Sequence, residues 1–407
     1  MLPLDSELEF DFARDEEFFA AIPTRAGVLR IEMRGEGALP YLRSTADLRR
    51  SCRRVLSEPE ADAANEPAKE QESGATPKRR PRLNLRETAA RVRYRVSGSP
   101  FEQTLALWEQ AREIFPKNYR ERMRLGPPAL LKINLTNEYP RCYVAPRISA
   151  DGGFYCGPFP SRRAAEEFAG EFLALFKVRR CHIHIRRDPG FPGCIYSEMK
   201  MCLAPCYAGC TKPEYDVEVA RLRDFLASRG DSLKGALEKE REEAAGAEDF
   251  ERAALVHKKE EKVAAILRHL PELPRRIEEL NAAVVQPAAQ EGSVAVFGVR
   301  GGWIAEPFFL DFRELSSLPR SVETMLRECL ESETKPGENS GLLADHLSLL
   351  ARWFYGKPRT GEIFFREAAS GAGWPYRRIL RGCARVLGSG TLLPPGPPAG
   401  RTGRGKK

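Results

Sequence analysis

CHIHIRRDPGFPGCIYSEMKMCLAPC, residues 181–206, carries four cysteines in the spacing Cys-x12-Cys-x7-Cys-x3-Cys. Thiolates are soft ligands, and four in a tetrahedral array suit zinc or an iron-sulfur cluster. The short pair, Cys202 and Cys206, can turn back on itself. The long loop between Cys181 and Cys194 has to be folded over by the surrounding chain. Isolated cysteines are often simply buried in cores, but this segment is dense in Pro, Gly and Arg and lacks a uniform apolar pattern. Cys210 is a fifth candidate ligand. His182 and His184, placed on one face by the strand-like CHIHI alternation, are alternatives. Spacing alone leaves zinc and iron-sulfur open.

Outside this segment, 407 residues with 42% hydrophobic content predict two to four compact units with real cores. No run approaches the roughly 18 apolar residues of a membrane span, and the opening MLPLDSELEFDFARDEEFF is acidic where a signal peptide is basic and then apolar. The expectation is a cytoplasmic protein with no membrane role. Ten cysteines are too sparse for a disulfide scaffold and are free for metal or burial. A net charge of +8 and a pI near 9.0 permit an anionic partner. The candidate nucleic-acid contacts are the basic clusters Arg49, Arg50, Arg53, Arg54 and Arg179, Arg180, Arg186, Arg187. Charge alone leaves RNA open beside DNA.

The pattern predicts an α+β multidomain chain. A first unit over 20–125 has strands at AGVLRIEM, LPYLRS and VRYRVS and a basic helix, LRRSCRRVL, capped by Thr45 or Asp47. Residues 57–82, rich in Ala, Glu, Pro and Lys, form a flexible insertion. A helix follows Pro100, with Phe101, Leu105, Trp108 and Ile114 as its apolar stripe. The cysteine-cluster unit spans 126–212, a charged helical region 213–285, and a C-terminal α+β unit 286–390 with a turn at Gly301-Gly302. Residues 391–407 are a flexible basic tail.

FYCGPFPSRRAAEEFAGEFLALFKVRRC, the cysteines and CLAPCYAGCTKPEYDVEVARLRDFL together resemble the central part of UvrC, the nuclease subunit of bacterial nucleotide excision repair. EDFERAALVHKKEEKVAAI resembles the UVR motif that follows in that family, a helical pair through which the subunits touch. This resemblance implies a [4Fe-4S] cluster on Cys181, Cys194, Cys202 and Cys206 over the zinc alternative. It implies docking of a UvrB-like subunit on the helical pair, with Phe250, Ala253, Ala254 and Val256 as apolar contributors. Upstream, the chain resembles a degenerate GIY-YIG nuclease domain, in which two tyrosines, an arginine, a glutamate and an asparagine surround one metal ion and the scissile phosphate.

Carried over, that resemblance puts Leu29 where the first tyrosine belongs, Tyr41 at the second, and Ser51, or Arg50 one residue away, at the arginine. Glu109 falls at the metal-binding glutamate, and Asn118, or Tyr119 by strict register, at the asparagine. The implied activity is a DNA-repair endonuclease using Mg²⁺ or Mn²⁺ at Glu109, weakened by these departures. The alternative is a non-catalytic DNA-binding or adaptor protein of the same ancestry. The second nuclease domain and helix-hairpin-helix elements of UvrC have no counterpart in the pattern after residue 290. That region is similar to the trailing part of shorter UvrC-like proteins.

Overall fold

A computed structural model describes residues 2–58, 83–313, 320–332, 339–366 and 373–390. Most of the expected insertion and all of the expected tail lie outside them. Three four-stranded antiparallel sheets, each with its own helices, make the architecture α+β and multidomain.

In the first sheet, strand β1 (Ser6–Glu9) is followed by helix α1 (Asp15–Ala21), β2 (Gly27–Met33), β3 (Tyr41–Thr45), α2 (Leu48–Leu56), β4 (Ala89–Val96) and α3 (Pro100–Ile114). The strand order is β1-β4-β2-β3. Helix α2 starts where Asp47 Oδ1 accepts from the Arg50 N–H at 2.9 Å. Helix α3 starts where Ser99 Oγ accepts from the Glu102 N–H at 3.1 Å, with Pro100 in its first turn. The acidic opening, expected to precede the first compact unit, instead adds the edge strand β1, in register with β4 from Ser6↔Tyr94 to Glu9↔Arg91.

Alternation along the strands splits this sheet between two cores. Leu29 and Ile31 join Phe18, Phe19, Leu48 and Cys52 under α1 and α2. Val28, with Leu42 packed alongside, joins Phe101, Leu105 and Trp108 of α3 on the opposite face.

A short helix α4 (Tyr119–Arg122) leads into the second sheet: β5 (Ala129–Ile133), β6 (Cys142–Ala145), β7 (Phe154–Phe159) and, much later, β8 (Arg275–Arg276), ordered β6-β5-β7-β8. All six residues of β7 are buried, as a central strand covered on both faces requires. Helix α5 (Arg162–Phe172) is capped by Ser161, after which the cysteine segment runs with two short helical turns, α6 (Ile195–Glu198) and a 3-10 turn at Pro205–Tyr207 that contains Cys206. CHIHI forms no strand, because no neighbouring strand pairs with it; His182 and His184 are exposed. Helices α7 (Lys212–Ala227), α8 (Asp231–Gly246) and α9 (Phe250–Arg268) follow, the last two packed as a hairpin.

The third sheet has β9 (Ala282–Pro287), β10 (Ser293–Arg300), β11 (Trp303–Asp311) and β12 (Glu362–Phe365) in the order β11-β10-β9-β12, with α10 (Val322–Glu331), α11 (Ser340–Tyr355) and α12 (Tyr376–Gly390). Gly301 and Gly302, both at positive φ, make the β10–β11 turn. The third sheet shares its core with α3: the Phe101 ring lies 5.0 Å from those of Phe297 and Trp353. No described helix is long and apolar enough to cross a membrane.

Candidate functional site

The cysteine segment is held by backbone and side-chain anchors rather than by regular structure. Buried Arg179 donates from Nε to the Tyr139 carbonyl at 2.7 Å and from Nη1 to the Ile183 carbonyl at 2.8 Å. Its amide donates to the Tyr215 hydroxyl at 3.0 Å, and that hydroxyl donates to the Pro140 carbonyl at 2.8 Å. Ser197 Oγ accepts from the Cys194 N–H at 2.8 Å. The Asp188 N–H donates to the Cys206 carbonyl at 3.0 Å, closing the long loop over the short one. Ala204 and Ala208 both adopt left-handed backbone geometry around Cys206. A Cβ on Gly193, itself at φ +83°, would lie 2.9 Å from Ser197 Oγ.

All four cysteines are free thiols, Cys206 buried and the others half-buried. Burial first, and then the neighbouring Cys181, Cys206 and Cys194, push the Cys202 thiol up to about 11, against the opposing Ala204 N–H 3.3 Å from its Sγ. Burial likewise raises Cys206, with added contributions from Cys194 and Cys181. Among the described residues, no three His, Cys, Asp or Glu side chains close into a metal-holding group. In residue type and number alone, four thiols suit a thiolate-bound metal or cluster. Two nitrogens of Arg180, Nε and Nη2, are buried there without a hydrogen-bond partner. Cys210 is also buried, and its carbonyl accepts from Arg187 Nη2 at 3.0 Å.

Of the nuclease-like residues, Tyr41 and Glu109 lie on opposite sides of the first sheet. Tyr41 packs against the core under α1 and α2, where Leu29 is fully buried and Ser51, 6% exposed, leaves its Oγ without a partner. Arg50 is exposed on α2. Glu109 belongs to α3, across the sheet, and its Oε2 accepts from the Leu2 N–H. Asn118 is exposed at the start of α4, and the neighbouring Tyr119 hydroxyl donates to buried Asp345 at 2.5 Å. Asp345 also accepts from Arg120 Nε at 2.6 Å and Trp108 Nε1 at 3.4 Å, so α3 and α4 are tied to α11.

Among the basic candidates, Arg49 donates to the Ile22 and Ala20 carbonyls, and Arg53 pairs with Glu16 at 2.8 Å. Arg54 and Arg186 are exposed. Arg179 is enclosed by its structural bonds. On the hairpin, Phe250 is 73% exposed and Ala254 exposed, with Ala253 half-buried. Val256, expected on the docking face, is 1% exposed and packs in the second core, because it lies on the inner side of α9. Leu255, 60% exposed, was not anticipated; its place in the helical repeat beside an inward valine is the signal that finds it.

Sequence reasoning also missed a cavity of about 660 Å³ between α3 and the third sheet, which Glu109 lines together with Arg112, Trp303 and His346. No local motif marks it, since its walls come from segments far apart in the chain.

Residues 130–225 match the family described as UvrC/Cho excinuclease, middle domain. UvrABC system protein C of Pediococcus pentosaceus is 37% identical over 125 residues, 30% of this chain and 20% of that protein. The corresponding protein of Acetivibrio thermocellus is 26% identical over 249 residues, 57% of this chain and 39% of that protein. That of Ruminiclostridium cellulolyticum is 30% identical over 201 residues, 49% of this chain and 33% of that protein. These matched stretches thus cover between a fifth and two fifths of the relatives' own length. No solved structure matches. The chain is homologous to UvrC at moderate identity, which associates it at the family level with DNA-repair nucleases.

Proposed function

We propose that this chain is a DNA-repair-associated protein of UvrC type that binds DNA and docks to a partner in the cytoplasm, without hydrolysing phosphodiesters at its nuclease-like face. The observation that carries the reading is the division of Tyr41 and Glu109 between opposite faces of one sheet. Metal-assisted hydrolysis needs its carboxylate and its proton-handling group within reach of a single phosphate. Leu29 and Ser51, both buried, supply neither a phenol nor a guanidinium. Exposed Arg50, Arg54 and Arg186 offer phosphate contacts of the backbone-directed, salt-sensitive kind.

The second reading, a weakened endonuclease with Mg²⁺ or Mn²⁺ at Glu109, is favoured by the retention of Tyr41 and Glu109 in family order. A nicking assay on damaged and bubble DNA with either metal, run beside a binding assay with matched RNA competitor, separates the two. Binding without nicking is expected. Nicking that Glu109→Gln abolishes replaces this reading with the endonuclease; loss of all DNA binding at low salt removes both.

Cys181, Cys194, Cys202 and Cys206 would hold a [4Fe-4S] cluster, with zinc as the alternative. Such a centre supplies a covalent tie across a segment that has little regular structure of its own. Arg179 and Ser197 pre-set the loops that carry its ligands. Anaerobically purified protein is expected to be brown, with near-visible absorption lost in Cys202→Ala; a colourless protein holding stoichiometric zinc reverses the choice. The α8–α9 hairpin would dock a UvrB-like subunit through Phe250, Ala254 and Leu255.

A further inference from the structure

The cavity of about 660 Å³ beside α3 lies in the size range of small-molecule sites, roughly 300–1,000 Å³. One wall is aromatic. The His346 ring lies 4.9 Å from that of Trp108 and 5.0 Å from that of Trp303. Its Nδ1 accepts from the Ile304 N–H at 3.2 Å, which fixes the ring as a spacer between the two indoles. Trp303 is half-buried and continues the aromatic wall.

The charged lining comprises two arginines, Arg112 and Arg300, and three carboxylates, Glu109, Glu306 and Glu328. The Arg112 guanidinium lies 4.7 Å from the Trp108 ring centroid and has no carboxylate partner among the described residues. Arg300, anchored on the Cys329 and Ser332 carbonyls, lines the same space. Glu109 adds an acceptor: Oε2 takes the Leu2 N–H, and Oε1 has no partner among the described residues. Glu328 also faces the cavity, but Arg320 offsets its charge.

A flat π surface, a planar cation and a carboxylate acceptor around one space match the base face, the phosphate and the exocyclic amine of an amine-bearing nucleotide. We propose that this cavity binds an unstacked nucleotide of single-stranded DNA, with its base against Trp303, its phosphate at Arg112 and its exocyclic amine at Glu109. The proposal rests on the DNA-associated reading above and gives Glu109 a recognition role in place of a hydrolytic one. An amine-bearing base such as adenine is preferred over thymine, which has no exocyclic amine to donate.

The test is equilibrium dialysis of the full chain against labelled deoxyadenosine monophosphate, with deoxyadenosine, thymidine monophosphate and inorganic phosphate as competitors. Uptake is expected, with deoxyadenosine, thymidine monophosphate and inorganic phosphate each displacing the label less well than unlabelled deoxyadenosine monophosphate does. Trp303→Ala should weaken uptake about tenfold or more, while Trp303→Phe, which keeps a ring, retains most of it. Arg112→Gln should weaken the nucleotide and spare the nucleoside. Glu109→Gln should erode the preference over thymidine monophosphate. Circular dichroism of each variant confirms folding. No uptake at millimolar nucleotide, uptake indifferent to Trp303→Ala in a folded variant, or equal competition by phosphate alone overturns the proposal. Single-stranded DNA binding without nucleotide uptake refutes the cavity and spares the DNA reading. Nucleotide uptake without any DNA binding does the reverse.

Discussion

The His346 imidazole sits between two indole rings, buried, with its Nδ1 taken by a backbone N–H. Burial lowers its pKa from 6.5 to about 4, Asp345 opposing and Arg112 reinforcing the fall. The unfolded chain therefore binds a proton that the folded chain refuses across that window. The stability contributed by neutral His346 is complete above about pH 6.5 and is lost as pH falls towards 4, up to about 3 kcal/mol. Urea unfolding at pH 7 and pH 4.5 should show the loss. His346→Asn, which keeps an acceptor but cannot titrate, should flatten the pH dependence over that interval. A profile identical in both proteins would contradict this account.

Helix starts were the most legible elements, because one side chain decides each. Asp47, Ser99 and Ser161 cap α2, α3 and α5 through short-range bonds that the sequence displays directly. Period-two alternation was a weaker guide. It placed β2, β3 and β4 correctly, but it also suggested a strand at CHIHI, where no partner edge exists, and it passed over β1, whose acidic composition masked a pairing with the arginines of β4. The hairpin shows the same limit: its helices were legible, whereas which of Leu255 and Val256 turns inward depended on packing against the second sheet's core. Val256→Ala is expected to cost about 2 kcal/mol or more in thermal or urea unfolding. Phe250→Ser should leave stability within about 0.5 kcal/mol and act only on partner binding.

At the scale of the molecule, the candidate site was half legible. The four cysteines lie within one stretch of chain, so their spacing was visible. The relation of Tyr41 to Glu109 was not, because it depends on which side of a sheet α3 occupies, and α3 is sandwiched between that sheet and a unit nearly 200 residues later in the sequence. The helix is apolar on two sides, and a one-stripe reading saw only one. Such sharing predicts that the first and third sheets unfold together. Phe101→Ala, which strips a ring packed on both Phe297 and Trp353, should cost about 3–5 kcal/mol and shift one common transition in calorimetry. Two separated transitions, only one of them moved, would show that the units are independent.

The placement of β8 has a consequence for how the chain tolerates damage. The chain leaves the second sheet's neighbourhood through α7, makes the α8–α9 excursion, and returns to pair Gly157 with Arg275 and Cys156 with Arg276 at the edge of the same sheet. The hairpin is therefore a closed detour tied down at both feet. A protease cutting the exposed turn at Ala247 to Asp249 would leave two fragments interlocked through a common core, running as one particle on a sizing column and separating only in denaturant.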